Sequence, residues 1–219
     1  MGHWRTLAHR GVLFLDELAE FDRNVLDALR QPLEDGSVDI ARANGHVRYP
    51  ARVQLVAAMN PCRCGHYGDA VRECRCPNGD PERYVRRVSG PLLDRLDLRV
   101  EMPRVPPEEL ITGAPGDSSA TVSLRIAAAR RLALERNRGR VNADLVGGSV
   151  VRASRLTPPG ERLLEDLAQR NGMSARGVHR TLRVARTIAD LAGRPDVVEE
   201  DLLAAVGLRD PGSGLLLAA

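Results

Sequence analysis

The chain contains no lysine: all 32 basic residues among its 219 residues are arginines. A P-loop of the type G-x-x-x-x-G-K-[ST] needs a lysine ammonium beside backbone N–H groups that cradle phosphates. A complete P-loop is therefore excluded, and any nucleotide site within this chain is half a site.

Aromatic residues and long apolar runs are also scarce. Only six aromatics are present, which favours a core of aliphatic residues with helices packed on a parallel sheet, and disfavours platforms for base stacking. No apolar run approaches the roughly 18 residues of a membrane span. The first apolar stretch leads into Asp16 and Glu17 rather than a signal-peptide cleavage site. We expect a globular, cytoplasmic protein, and a net charge of +3 decides little about its partners.

The first half of the chain predicts an α/β fold. The run from Gly11 to Glu17 predicts a strand buried on both faces. Residues 53–59 predict a second buried strand and residues 98–102 a third. Short helices are predicted to begin at Asp80-Pro81 and at Pro91.

A helix and a hairpin are predicted between the first two strands. Asp22 is a candidate N-cap for a helix that ends at Pro32 and Gly36. The dipeptide Asn44-Gly45 is a strong two-residue turn signal. With that turn, Ile40 would pair with Tyr49 and Arg42 with Val47.

The second half predicts helices only. We expect the α/β part to span residues 1–104, a Pro- and Gly-rich linker residues 105–117, and a helical domain residues 118–219. Helices are predicted after Ser118, after Pro158-Pro159, after the cap Ser174, and from Val198 to Val206.

Two strand ends carry groups suited to phosphate chemistry. Asp16 could hold a hydrated magnesium ion and Glu17 could polarise an attacking water. Asn60 follows the next predicted strand, and parallel strands present their carboxyl ends at one sheet edge, so its amide could orient that water. The alternatives are a chance acidic strand end and a turn-forming Asn before Pro61.

Four segments together resemble the magnesium-chelatase-like AAA+ ATPases of the ComM/YifB type. They are Gly11-Val-Leu-Phe-Leu-Asp-Glu-Leu18, Ala57-Ala-Met-Asn-Pro61, Ser89-Gly-Pro-Leu-Leu-Asp-Arg-Leu-Asp97 and Arg183-Val-Ala-Arg-Thr-Ile-Ala-Asp190. The resemblance runs from about Leu7 to about Arg209. It implies a partial AAA+ core that lacks the P-loop strand, followed by an all-helical lid.

The resemblance also implies roles for single residues. Asp16 and Glu17 match the Walker B pair, which binds magnesium and activates water, and Asn60 matches sensor 1. Arg95 matches the arginine finger that a neighbouring subunit inserts at the γ-phosphate. Its alternative is a surface ion pair with Asp94 or Asp97.

Arg176 matches sensor 2 of the family's helical lid. Helical spacing places Arg180 and Arg183 on the same face, so a solvated arginine stripe is the competing interpretation. The hairpin occupies the position that lines the pore in related hexameric motors and touches DNA. Arg42 and Arg48 are then candidate phosphate contacts, and the alternative is ordinary edge charge on a strand.

The four cysteines form two tight pairs, Cys62-Arg-Cys64 and Cys74-Arg-Cys76. Four thiolates are enough for a tetrahedral zinc site that would staple a loop with little apolar content. His66 could replace one ligand, and the alternative is four reduced free thiols.

This chain lacks the P-loop portion that the family has. We therefore expect Met1 to be an internal or misassigned start within a longer ATPase gene. The alternative is a genuine fragment with a non-catalytic role. The resemblance implies a complete protein that hydrolyses ATP in a ring, such as a hexamer, and moves on DNA during recombination or transformation. The rivals are a non-enzymatic module that binds DNA or a partner, and a metal-chelatase motor that drives magnesium into a porphyrin.

Overall fold

The computed structural model describes residues 7–42, 45–69, 71–113 and 115–209. They divide into two compact units, Met1–Leu96 and Asp97–Ala219, each with its own hydrophobic core. The first unit combines strands with helices, and the described part of the second is helical. The predicted mixed α/β class, with helices following, is confirmed.

The first unit is built around a parallel strand pair. Its regular elements are β1 (Val12–Leu15), α1 (Arg23–Asp27), α2 (Arg30–Asp35), β2 (Ser37–Arg42), β3 (Gly45–Pro50), β4 (Gln54–Ala57), α3 (Asp80–Val85) and α4 (Gly90–Leu93). β1 pairs with β4 in parallel, with Val12 opposite Gln54 and Leu15 opposite Ala57. The core joins the end of β1 to the helices and consists of Leu15, Leu18, Ala19, Leu26, Leu29, Tyr84, Val88 and Leu92.

Only one face of the β1–β4 pair is covered within the described residues. Leu15 is buried, whereas Val12, Phe14 and Val56 are 60%, 59% and 40% exposed. Side chains alternate between the faces of a strand, so the exposed residues share the face opposite the core. The prediction that β1 is buried on both faces is wrong for this face.

The hairpin register differs from the prediction by two residues. β2 and β3 pair antiparallel, with Ile40 opposite Val47 and Arg42 opposite Gly45. The connecting residues are therefore 43 and 44, which lie outside the described part of the chain, and Gly45 belongs to β3. A shift of two residues keeps every side chain on its predicted face, because the period of a strand is two.

The single helix predicted after Asp22 is two short helices. Asp22 caps α1 as expected, its carboxylate accepting a hydrogen bond from the Asn24 N–H at 2.8 Å. Pro32 lies inside α2 instead of ending a helix, because proline is tolerated in a first turn where its missing N–H has no intrahelical partner. Gly36 ends α2 with φ 65°, as expected of a glycine C-cap.

No strand forms over residues 98–102, contrary to the prediction. Leu98, Val100 and Met102 are 52%, 63% and 85% exposed. Among the described residues, its one backbone hydrogen bond runs from the Arg99 N–H to the Leu208 carbonyl at 2.6 Å. Without a paired neighbour in the described chain, an alternating apolar pattern does not make a strand.

The second unit is a helical cluster. Its helices are α5 (Pro107–Thr112), α6 (Ser119–Arg136), α7 (Gly148–Ser154), α8 (Pro158–Arg170), α9 (Ala175–Leu191) and α10 (Glu199–Gly207). Ser118, Thr157 and Ser174 cap α6, α8 and α9 through their hydroxyl oxygens. α7 was not predicted, and α5 lies within the predicted linker. Among the helices described, none combines the length with the apolar composition that a membrane span requires.

Asp190 is the centre of a buried polar network in this unit. Arg136 binds its carboxylate in a bidentate manner at 2.6 and 2.7 Å, and Asn142 donates to it at 2.8 Å. Arg186 approaches the same carboxylate at 3.0 Å, and Arg186 and Asp190 are 1% and 3% exposed. These charge-assisted bonds join α6 to α9 inside the core.

Candidate functional site

The predicted magnesium and water-activating residues follow β1 at the edge where β4 also ends. The Ala58 N–H donates to the Leu15 carbonyl at 2.9 Å, and the Leu18 N–H donates to the Ala58 carbonyl at 2.9 Å. Asp16 and Glu17 therefore lie beside the chain that leads from β4 to Asn60. Asp16, Glu17 and Asn60 are all exposed at this edge.

Glu17 adopts a left-handed backbone conformation, with φ 50° and ψ 48°. For a residue with a side chain this costs of the order of 1–3 kcal/mol, and such residues cluster at functional sites. The Glu17 N–H donates to Asp16 Oδ1 at 2.9 Å, which fixes the Asp16 carboxylate against the turn. The turn thus places two exposed acidic residues at the strand end.

Arg95 is folded back onto its own unit. Its Nη2 donates to the Glu34 carboxylate, and its Nη1 donates to the Pro91 carbonyl at 2.6 Å. The side chain is 15% exposed. Glu34 is a partner that the sequence alternatives did not include, and Asp97 instead approaches Arg180 at 3.8 Å.

The three lid arginines on α9 differ in their surroundings. Arg180 is 17% exposed beside Asp97. Arg183 donates to the Ala143 and Leu145 carbonyls at 3.2 Å each. Arg176 is exposed in the first turn of α9. Since Arg180 and Arg183 are half-buried with structural contacts, the three do not form a uniform solvated stripe.

The hairpin arginines are only partly described. The Arg48 Nε donates to Ser37 Oγ at 2.9 Å and lies 3.5 Å from the Asp39 carboxylate. Its side chain remains 65% exposed. Arg42 ends β2 opposite Gly45, and its side chain lies outside the described part of the structure.

The four cysteines converge on one point. The Sγ atoms of Cys62, Cys64 and Cys74 are separated by 3.4, 3.6 and 3.8 Å, and all four Sγ atoms lie within 4.8 Å of one another. Four sulfurs around a tetrahedral zinc ion with Zn–S bonds of about 2.3 Å are about 3.8 Å apart. The spacing of the thiols therefore fits a Cys₄ zinc ion.

Hydrogen bonds and the closeness of the sulfurs shift the pKa values of these thiols in opposite directions. Backbone hydrogen bonds from Arg75 and His66 lower the pKa of Cys64 to about 6. For Cys74, a backbone hydrogen bond from Cys76 lowers the pKa, but desolvation and the neighbouring sulfurs outweigh it and raise the value to about 12. Several thiolates so close together repel one another unless a cation joins them.

His66 stands apart from the four sulfurs. Its Nδ1 lies 3.7 Å from the Asp69 carboxylate, and among the residues that the structure describes the cluster of possible ligands consists of the four cysteines. Asp69 in turn accepts hydrogen bonds from the backbone of Val71 and Arg72 at 2.7 and 3.1 Å. His66 thus pairs with Asp69 in the loop and lies outside the cluster.

Comparisons with known proteins cover almost the whole chain. The family described as "Magnesium chelatase, subunit ChlI" matches residues 5–110, and "Magnesium chelatase, subunit ChlI C-terminal" matches residues 116–209. Competence protein ComM of Haemophilus influenzae is 45% identical over 205 residues, which are 93% of this chain and 40% of ComM. The chain belongs to the magnesium-chelatase-like family of the ComM/YifB type.

Further relatives agree with this placement. The uncharacterized protein YifB of Escherichia coli is 44% identical over 93% of this chain and 40% of its own length. An uncharacterized protein of Mycobacterium tuberculosis is 44% identical over 94% of this chain and 41% of its own length. This member of the ComM/YifB type thus spans about two fifths of the length of the curated relatives it matches.

Two contacts of this magnesium-chelatase-like chain were beyond sequence reasoning. The Arg95–Glu34 pair joins residues 61 positions apart, and neither residue's spacing indicates the other. Asp190 and Arg186 stand in a segment that carries the family resemblance, but their sequence spacing suggests only an i,i+4 surface pair. Their burial could be inferred only from the apolar residues Leu182, Ala185 and Ala189 on the same helix, which are buried.

Proposed function

We propose that a longer protein containing this chain hydrolyses ATP between the subunits of a ring, such as a hexamer, and uses the energy to move on DNA. The observation that carries this proposal is the shared end of β1 and β4, where Asp16, Glu17 and Asn60 follow two parallel strands. The edge beyond the carboxyl ends of parallel strands is where α/β sheets bind ligands. The AAA+-type family supports ATP as that ligand.

Each residue of the proposed site has a separate task. Asp16 would hold the hydrated magnesium ion, which supplies charge neutralisation at the phosphates when bound. Glu17 would accept a proton from the attacking water, and Asn60 would orient that water through its amide. The turn at Glu17 supports this assignment, because the Glu17 N–H holds the Asp16 carboxylate at the strand end.

Arg95 and Arg176 would complete the site. As an arginine finger, Arg95 would act on the nucleotide of the adjacent subunit, which requires its guanidinium to leave Glu34. Arg176 would approach the phosphates as sensor 2, and its exposure in the first turn of α9 supports that role.

The lysine that cradles the phosphates must come from another part of the longer protein, because this chain has none. We propose that the 219-residue chain alone neither hydrolyses ATP nor binds it tightly. The test is ATP turnover by this chain and by the longer protein, each with and without Glu17→Gln. Turnover by the chain alone, abolished by Glu17→Gln, would overturn this part of the proposal.

DNA is the proposed client, in recombination or transformation. The name of Competence protein ComM supports this direction, as does the exposure of Arg48 on the hairpin. The rival proposal is that the longer protein drives a metal-chelatase reaction, the activity in the name of the matching family. A third candidate is a module that binds DNA or a partner without nucleotide, and an in-frame P-loop upstream of Met1 would count against it.

For the four-cysteine cluster we propose a structural zinc ion, separate from ATP and magnesium. The tetrahedral spacing of the sulfurs supports it. The proposal assigns the metal to the loop and gives it no step in hydrolysis.

A further inference from the structure

The cysteine loop is joined directly to the residue that would sense the phosphates. Cys62 stands two residues after Asn60, with Pro61 between them. Among the described residues, the Asn60 side chain has no hydrogen-bond partner. The position of its amide therefore depends on the backbone on either side. Before it lie Ala58, which is hydrogen-bonded to Leu15 and Leu18, and Met59, which packs against the core, and after it lies Cys62.

The loop has little of its own to hold Cys62 in place. The described residues between 62 and 76 form neither helix nor strand. They are arranged by a few turns, such as the hydrogen bond from the Gly65 N–H to the Cys62 carbonyl at 3.1 Å. Cys62 is nevertheless fully buried, and it is buried among other sulfurs.

The far end of the loop is anchored in the core. Cys76 precedes α3 by four residues, and Tyr84 of α3 is 3% exposed in the same core as Leu15 at the end of β1. A bond network through the four sulfurs would therefore connect the end of β4 to α3. That connection would hold the chain on both sides of the loop.

We propose that one Zn²⁺ bound by Cys62, Cys64, Cys74 and Cys76 acts as a clamp that fixes Asn60 at the shared end of β1 and β4. Asn60 is then positioned by the metal, although it does not touch it. This inference rests on the proposed zinc site and on the proposed role of Asn60. It makes the geometry of the phosphate-sensing edge dependent on metal content.

The first experiment tests the metal. Protein purified without chelator should contain about one equivalent of zinc, and Co²⁺ in its place should give the intense thiolate-to-cobalt absorption of a tetrahedral site. Cys62→Ser combined with Cys64→Ser should lose the metal, whereas His66→Ala should retain it. A zinc content below about half an equivalent, or loss of zinc in His66→Ala, would overturn the Cys₄ assignment.

The second experiment tests the clamp without using ATP. The side-chain amide resonances of ¹⁵N-labelled Asn60 are recorded in the zinc-loaded chain, after chelation and after zinc is restored. Chelation should shift or broaden them and speed amide exchange in β4 by about tenfold or more, and zinc should reverse both effects. Exchange in α9 of the other unit should not change.

The two parts of the inference fail in different ways. Stoichiometric zinc with Asn60 resonances unaffected by chelation would overturn the clamp and leave the zinc site standing. Neither measurement depends on hydrolysis, so the absence of ATPase activity in the longer protein would leave both results unchanged.

Discussion

Glu34 accepts a hydrogen bond from the guanidinium of Arg95, the residue proposed to act on a neighbouring subunit's nucleotide. The pair is partly shielded, with the two side chains 15% and 34% exposed. A finger that reaches a neighbour must first leave this carboxylate. If Arg95 is the finger as proposed, Glu34 would compete within the same subunit for its guanidinium.

If Arg95 is the arginine finger of the longer protein as proposed, Arg95→Ala should lower ATP turnover by about 10³-fold or more. Glu34→Gln should raise turnover a few-fold, because a neutral amide competes less well than a carboxylate for the guanidinium. Glu20→Gln is the matched control, since Glu20 pairs with Arg87 at 2.9 Å. Steady-state turnover with saturating ATP is the measurement, and reduced turnover in Glu34→Gln would contradict the competition.

The hairpin proposal predicts a loss of DNA affinity on neutralising its arginines. Arg42→Ala combined with Arg48→Ala should weaken binding and reduce the slope of log affinity against log salt by up to about two. The control is Arg83→Ala combined with Arg170→Ala, because these arginines are as exposed as Arg48 and also pair with single aspartates. Equal losses in both double variants would remove the hairpin from the proposal.

The buried network around Asp190 predicts that removing this carboxylate strongly destabilises the helical unit. Asp190→Ala leaves the guanidinium of Arg186 buried without its carboxylate, and we expect a loss of about 3–5 kcal/mol in the free energy of unfolding. Asp166→Ala, which breaks the exposed pair with Arg170, should cost less than about 0.5 kcal/mol. Urea denaturation followed by circular dichroism measures the loss of stability in each variant. Similar losses in Asp190→Ala and Asp166→Ala would contradict a stabilising role for the buried network.

The same carboxylate predicts acid sensitivity. Burial alone would raise the pKa of Asp190, but hydrogen bonds from Arg136 and Asn142 and the charge of Arg186 outweigh it and lower the pKa below its usual value. A lowered native pKa means that the unfolded chain binds the proton more readily, so the stabilisation is present above the usual aspartate pKa. It is lost as the pH falls from there through the native value.

We therefore expect the stability difference between the natural chain and Asp190→Asn to be constant from pH 7 to about pH 5 and to shrink below about pH 4. Urea midpoints measured across this range test the sign. A difference that grows on acidification would contradict the lowered pKa.

Local signals in the sequence account for much of the fold. The caps at Asp22, Ser118 and Ser174 were predictable because a side-chain oxygen three or fewer residues before a free N–H satisfies it locally. The convergence of four cysteines was predictable from two close pairs. Short-range chemistry of this kind needs no knowledge of the rest of the chain.

The predictions that proved wrong concerned contacts between residues far apart in the sequence. Residues 98–102 have a strand-like pattern but no paired neighbour in the described chain, and the outer face of β1 remains exposed. The Asn44-Gly45 signal correctly indicated a hairpin, but it did not determine which residues of the two strands pair. Glu34 became a partner of Arg95 only through the tertiary packing of the first unit.

The left-handed conformation of Glu17 sets stability against function at one position. Glycine occupies this region of backbone space at no steric cost, so Glu17→Gly should make the first unit more stable by about 1 kcal/mol while deleting the carboxylate. A search for thermostable variants of this chain would select that replacement early. The variant so selected would lack the carboxylate that is proposed to activate water.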